Sequence, residues 1–228
     1  MKRRLLSAFL AVMMVLTMAP VAFAADGDAE NTADGSASAG TGSSEVTSAV
    51  AKIGDVEYPT LQAAVDAAKA KNTIQLVANT DENVTIAKAL TLDLNGFTID
   101  GKQVKATPTL TIKDKNVTIK DTSEAKTGTI KREDTAENSG KSSHYVIDIQ
   151  GSAWVTFESG KVENNSGNDS GKGASLVRVG DDGVNKFPGL NIKGGTFTQD
   201  NFIAVKVDRG DLFLNGGTIN SVNSYAIE

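Results

Sequence analysis

The segments Leu190–Thr198 (LNIKGGTFT) and Leu212–Asn220 (LFLNGGTIN) share one frame. Two apolar residues flank a third, Asn191 in one and Phe213 in the other, a glycine corner follows, and then come Thr and a further apolar residue. Aligned on that last residue, the frame recurs with ends at Ile99, Ile130, Val162, Phe197 and Ile219. The pairs Leu92/Leu94, Val117/Ile119, Val155/Phe157, Leu190/Ile192 and Leu212/Leu214 open it, and Ile86, Ile112, Ile149, Val179 and Val207 precede them. Each unit thus reads as three short strands with period-two alternation, one face buried. The longer units differ by polar insertions at 131–144, 163–173 and 180–189. Repetition with insertions confined to corners marks a solenoid. Three inward-alternating strands per turn predict an all-β fold, a parallel β-helix whose strands each pair with their equivalents about 4.8 Å above and below. An antiparallel sandwich is the alternative, since Asn-Gly also signals hairpins, but a meander does not repeat whole three-strand units in one sense.

The corners between sheets need backbone that turns sharply. Gly96, Gly160, Gly195 and Gly217 stand there because glycine accepts positive φ, and Asn95 and Asn215 suit the same bend because Asn tolerates left-handed geometry. Ahead of the repeats, Thr60 to Ala70 predicts the one helix. Thr60 is its N-cap, Leu61, Ala64, Val65 and Ala68 form an apolar stripe, and Lys69 and Lys71 suit the negative C-terminal end. The capping-box acid is missing, because Ala63 stands in its place. Such a helix belongs over the first coil, where the open end of a solenoid must be covered.

The stretches Ile53–Ala68 (IGDVEYPTLQAAVDAA), Asn72–Leu76 (NTIQL) and Leu90–Gly96 (LTLDLNG) resemble the N-terminal cap and first coil of pectate-lyase-like β-helix proteins, among them secreted surface proteins of Gram-positive gut-type bacteria. The resemblance covers Ile53 to Glu228 and implies a right-handed single-stranded parallel β-helix with an N-terminal capping α-helix. It implies little about activity, because this scaffold carries lyases, hydrolases, adhesins and binding modules.

Three domains are expected: a signal peptide over 1–24, a flexible low-complexity tether over 25–48, and the β-helix over 49–228. Lys2-Arg3-Arg4, an apolar run and Ala22-Phe23-Ala24 make the secretory signal, so the chain is expected to be secreted or on the cell surface, with no membrane span after cleavage. Loss of its three basic residues takes the formal charge from −5 to −8, the wrong sign for nucleic-acid binding. There is no Cys and one His, His144, which excludes disulfides, thiolate sites and paired-His metal sites. Ser224–Glu228 (SYAIE) resembles the approach Phe202–Lys206 (FIAVK), so the β-helix is expected to be truncated at its C-terminus.

Alternation places Thr85, Thr111, Asp148, Arg178 and Lys206 in one outward column, with Asp208 two residues beyond. The pectate-lyase resemblance implies that calcium-binding carboxylates and a basic proton abstractor would sit on such a face. Asp148, Arg178, Lys206 and Asp208 are therefore the catalytic candidates, against a plain surface ion pair. Asp181 and Asp182 are adjacent, so their side chains would diverge on a strand, and they read as a turn. Asp169 is a loop candidate for sugar or calcium, and Trp154 and Tyr145 are candidates for stacking on a sugar ring. Phe213 faces outward, and His144 lacks a visible acid partner. No cofactor is expected beyond calcium at most, and no metal ligand set is assigned. The expected function is a non-catalytic β-helix module displaying loops for adhesion or for binding host or environmental glycans or surface proteins. The alternatives are a polysaccharide lyase or glycoside hydrolase with its catalytic coils beyond residue 228, or a passive stalk. The sequence does not fix an oligomeric state.

Overall fold

The computed structural model describes residues 48–101, 107–132, 145–164, 175–181, 183–200 and 202–228. Residues 1–47, where the signal peptide and most of the tether are expected, and His144, Asp169 and Asp182 lie outside the described residues.

A hairpin of β1 (Ala51–Ile53) and β2 (Val56–Tyr58) precedes helix α1 (Leu61–Ala67) and β3 (Thr73–Leu76). The chain then winds through turns of three strands. The first strands are β4 (Val84–Ile86), β7 (Leu110–Lys113), β10 (Ile147–Gln150), β13 (Val177–Val179) and β16 (Val205–Val207). The second strands are β5 (Leu90–Asp93), β8 (Asn116–Lys120), β11 (Trp154–Phe157), β14 (Gly189–Ile192) and β17 (Asp211–Leu214). The third strands are β6 (Thr98–Asp100), β9 (Thr129–Arg132), β12 (Lys161–Asn164), β15 (Thr196–Gln199) and β18 (Thr218–Ser221). First strands pair only with first strands, second with second and third with third, always parallel. The sheet of second strands continues through β3, to which β1 and then β2 add antiparallel. This is a parallel β-helix.

Register follows the repeated frame. Ile86, Ile112, Ile149, Val179 and Val207 stack in order, as do Ile99, Ile130, Val162, Phe197 and Ile219. In the second sheet, however, Val117 and Ile119 pair with Leu90 and Leu92, not with Leu92 and Leu94. A slip of two residues keeps every side chain on its face, so alternation alone does not specify it. Leu94 instead starts the corner, its N–H donating to the Lys120 carbonyl. Inward stacks of this kind are dry: Ile86, Ile112, Ile149, Ile99, Ile130 and Val162 are fully buried, and the Phe157 and Phe197 rings meet at 4.8 Å between centroids. Each such side chain gains roughly 1.5–3 kcal/mol from leaving water.

Gly96, Gly160, Gly195 and Gly217 all have positive φ. Asn95 joins Gly96 in the left-handed region with φ 46°, and the Phe97 N–H closes the turn onto the Leu94 carbonyl. Asn215 departs from that expectation. Its φ is not positive, because the last corner puts its left-handed residue at Gly217. Two buried carboxylates brace the first of these corners. Asp93 accepts from the Asn95 and Thr122 N–H groups, and Asp121 accepts from those of Gly96, Ser123 and Gly128.

Helix α1 ends at Ala67, earlier than the sequence pattern suggests, so Lys69 and Lys71 lie beyond its last turn. Leu61, Ala64, Val65 and Ala68 are buried, and the helix packs on β1, β2, β3 and β4. The missing capping acid comes from elsewhere. Glu82 accepts from the N–H groups of Leu61 and Gln62 at 2.8 and 3.1 Å, while Thr60 accepts from that of Ala63. The polar insertions also start later than their composition implies. Lys131 and Arg132 belong to β9 and Glu163 and Asn164 to β12, and Arg132, Asn164 and Gln199 stack as a buried polar ladder.

Candidate functional site

The outward column of the first sheet has the order that alternation gives: Thr85, Thr111, Asp148, Arg178 and Lys206 are successive neighbours. It is not a bare surface. The Asp148 side chain is 1% exposed and that of Arg178 is 17% exposed, and the guanidinium clasps the carboxylate through Nε and Nη2 at 2.9 and 2.8 Å. The ion pair that the sequence reading weighed is present but lies beneath the surface, because Arg178 folds over its neighbour and Tyr145 covers Arg178 at 4.7 Å from ring to guanidinium. Gln150 donates to the second Asp148 oxygen at 2.6 Å. Burial works to lower the Arg178 pKa, but the Asp148 hydrogen bond and charge outweigh it and raise it further. Arg178 therefore stays charged. Lys206 turns away to Asp208, at 2.7 Å, and that contact raises its pKa. The four catalytic candidates thus sort into two ion pairs, each with its charge answered.

The 180–189 excursion builds the concave feature beside this column. It leaves β13 at Gly180, whose positive φ and close approach to the Arg209 carbonyl leave no room for a side chain. The Asp181 carboxylate accepts from the Gly183 N–H at 3.0 Å and lies 3.9 Å from Arg178. Lys186 reaches back to Asp114, in the corner after β7, at 2.8 Å. Asp114 also accepts from Ser152, and the Lys186 bond, foremost, holds its carboxyl below the usual carboxylate range. The excursion so tied encloses a cleft of about 210 Å³, with Lys113, Gln150 and Gly151 on one side and Val184, Lys186 and Pro188 on the other.

The same excursion ends at an aromatic surface on the second sheet. Trp154 lies over Gly189, where a Cβ would come within 2.4 Å of its ring, and reaches Phe213 two rungs along at 5.6 Å. Phe187 is 63% exposed, with the Arg209 guanidinium 5.6 Å from its ring. Trp154 and Tyr145, the stacking candidates, therefore sit in different places: Trp154 in this surface and Tyr145 over the ion pair. Sequence reasoning missed Asp114, Gln150, Lys186, Phe187 and Arg209. An aromatic residue inside the polar GDDGVNKFPG segment was the available signal.

Among the described residues no three His, Cys, Asp or Glu side chains are grouped to hold a metal ion. The arrangement offers hydrogen-bonding charges in a small cleft beside exposed ring faces, a combination suited to holding a polar ring with one apolar face. Fold and face together define a parallel β-helix solenoid with a decorated corner. In comparisons with known proteins, no family model, no curated protein and no solved structure matches the chain.

Proposed function

We propose that the protein is a secreted or cell-surface β-helix module, without catalysis of its own, that binds glycan on the face built by the 180–189 excursion. The observation that carries this reading is the aromatic pair of half-buried Trp154 and exposed Phe213, with exposed Phe187 on the same excursion as a cleft lined with carboxylates, an amide and lysines. Ring faces of this kind pack against the C–H face of a pyranose, and the cleft groups suit its hydroxyls. The finer likeness to pectate-lyase-like surface proteins of Gram-positive bacteria rests on Ile53–Gly96, and secretion rests on residues 1–24.

Trp154 is the one tryptophan of the chain, so its emission reports the site directly. Titration with host and environmental glycans, with and without calcium, is expected to give a saturable emission change without release of shortened or unsaturated sugar. Trp154→Ala or Phe187→Ala is expected to weaken binding about tenfold each, measured by calorimetry. Product release rejects the reading in favour of a lyase or hydrolase. Absence of binding to any glycan favours a passive stalk.

A further inference from the structure

The cleft under the 180–189 excursion lies on the corners that follow β7, β10 and β13, with the turns of β4 and β16 on either side of them. Building on the reading that this face binds glycan, we propose that the cleft takes a single neutral sugar ring and selects against acidic and amino sugars. Its size sets the first limit. At about 210 Å³ it falls below the ~300–1,000 Å³ of sites for larger ligands, so one ring fits and the rest of a glycan stays outside. Gly151 and Gly180 line it with bare backbone, because a Cβ would collide with the Asp114 carboxylate at the first and with the Arg209 carbonyl at the second.

Charge sets the second limit. The lining carries two ammonium groups, Lys113 and Lys186, and two carboxylates, Asp114 and Asp181, so its formal charges cancel. Arg178, the next cation, is committed to Asp148. An anion entering the cleft meets Asp114 and Asp181, and a cation meets Lys113 and Lys186, so neither sign is favoured. The unspent atoms then decide what fits. Asp114 takes Lys186 and both Ser152 donors on Oδ1, and its Oδ2 receives no hydrogen bond among the described residues. Asp181 takes the Gly183 N–H on Oδ1, while its Oδ2 has only Arg178 at 3.9 Å, beyond hydrogen-bond reach. Gln150 spends its amide nitrogen on Asp148 and keeps its carbonyl oxygen, and the exposed Lys113 ammonium has no partner among the described residues. Three acceptor oxygens and one cationic donor are therefore left for a ligand. A hydroxyl can give a proton to the former and a lone pair to the latter, whereas a carboxylate has no proton to give and an ammonium no lone pair.

The test is calorimetry of the full chain with methyl glycosides of glucose, galactose and mannose, each set beside its uronate and its 2-amino counterpart. At least one neutral glycoside is expected to bind, with an affinity that changes less than about twofold between ~0.05 and ~0.5 M salt, and its two charged counterparts at least about tenfold more weakly. Asp181→Asn keeps the Oδ1 acceptor and replaces the unspent oxygen by a donor. It is expected to weaken the neutral glycoside about fivefold, whereas it would strengthen binding of an acid. A uronate or amino sugar that matches or exceeds its neutral parent, or Asp181→Asn binding the neutral sugar as well as before, overturns the proposal and leaves the glycan reading standing. So does a polymer that shifts Trp154 emission when none of these glycosides binds. If no glycan binds, polymer or monomer, the glycan reading itself fails and this proposal with it.

Discussion

Asp121 shows how one side chain can hold a corner. Its burial works to raise its pKa, but hydrogen bonds from Ser123 and from the Gly128 and Gly96 N–H groups outweigh this and lower it. The folded state therefore takes up a proton less readily than the unfolded chain. Its contribution to stability is complete above the unfolded carboxylate range, near pH ~4, and is lost as pH falls through the lower folded value. Asp121→Asn is expected to cost about 1–3 kcal/mol near neutrality and to flatten the acid limb of stability against pH, both read from urea unfolding. An unchanged acid limb contradicts this account. The two outward ion pairs differ in the same measurement. Asp148→Ala strands a largely buried guanidinium and is expected to cost about 3 kcal/mol, whereas Asp208→Ala, beside the more exposed Lys206, is expected to cost less than about 1 kcal/mol. The Asp148–Arg178 contact was legible in the sequence because period-two alternation fixes which residues are neighbours. The corner carboxylates were not, because a bond from side chain to backbone leaves no periodic trace.

Among the elements, helix α1 depends on a residue that follows it by about twenty positions. Glu82 and Thr60 together answer three of its first N–H groups, so Thr60→Ala is expected to cost about 1 kcal/mol and Glu82→Ala a similar amount. Thermal unfolding of the two single variants and the double variant measures this. No loss in Glu82→Ala overturns the assignment. The strands behave otherwise, since their identity lies in the core. Ile130→Ala, fully buried on an inner strand of the third sheet, is expected to cost about 3 kcal/mol. The sequence made the third-strand register readable throughout, because each unit ends on one apolar residue after a glycine corner. It misplaced the β5–β8 register by two residues because alternation is blind to an even slip. It also left the β1–β2 hairpin unseen, because that hairpin stands outside the repeat.

For the molecule as a whole, a long excursion at one corner carries the candidate face, while the stack of sheets below supplies a fixed floor. The floor was legible from spacing. The face was not, because Lys186–Asp114 and Trp154–Phe213 join residues from different turns, through side-chain reach that no repeat encodes. All of it presumes that the turns wind in one sense and stay in register. Spin labels on the outward column of the second sheet test this directly, at Thr91 paired with Asn191 and at Thr91 paired with Phe213. At about 4.8 Å per rung, the backbone separations are expected near 14 and 19 Å, growing evenly with each turn. Separations that fail to grow with turn number, or a shorter distance for the Phe213 pair, contradict the parallel winding.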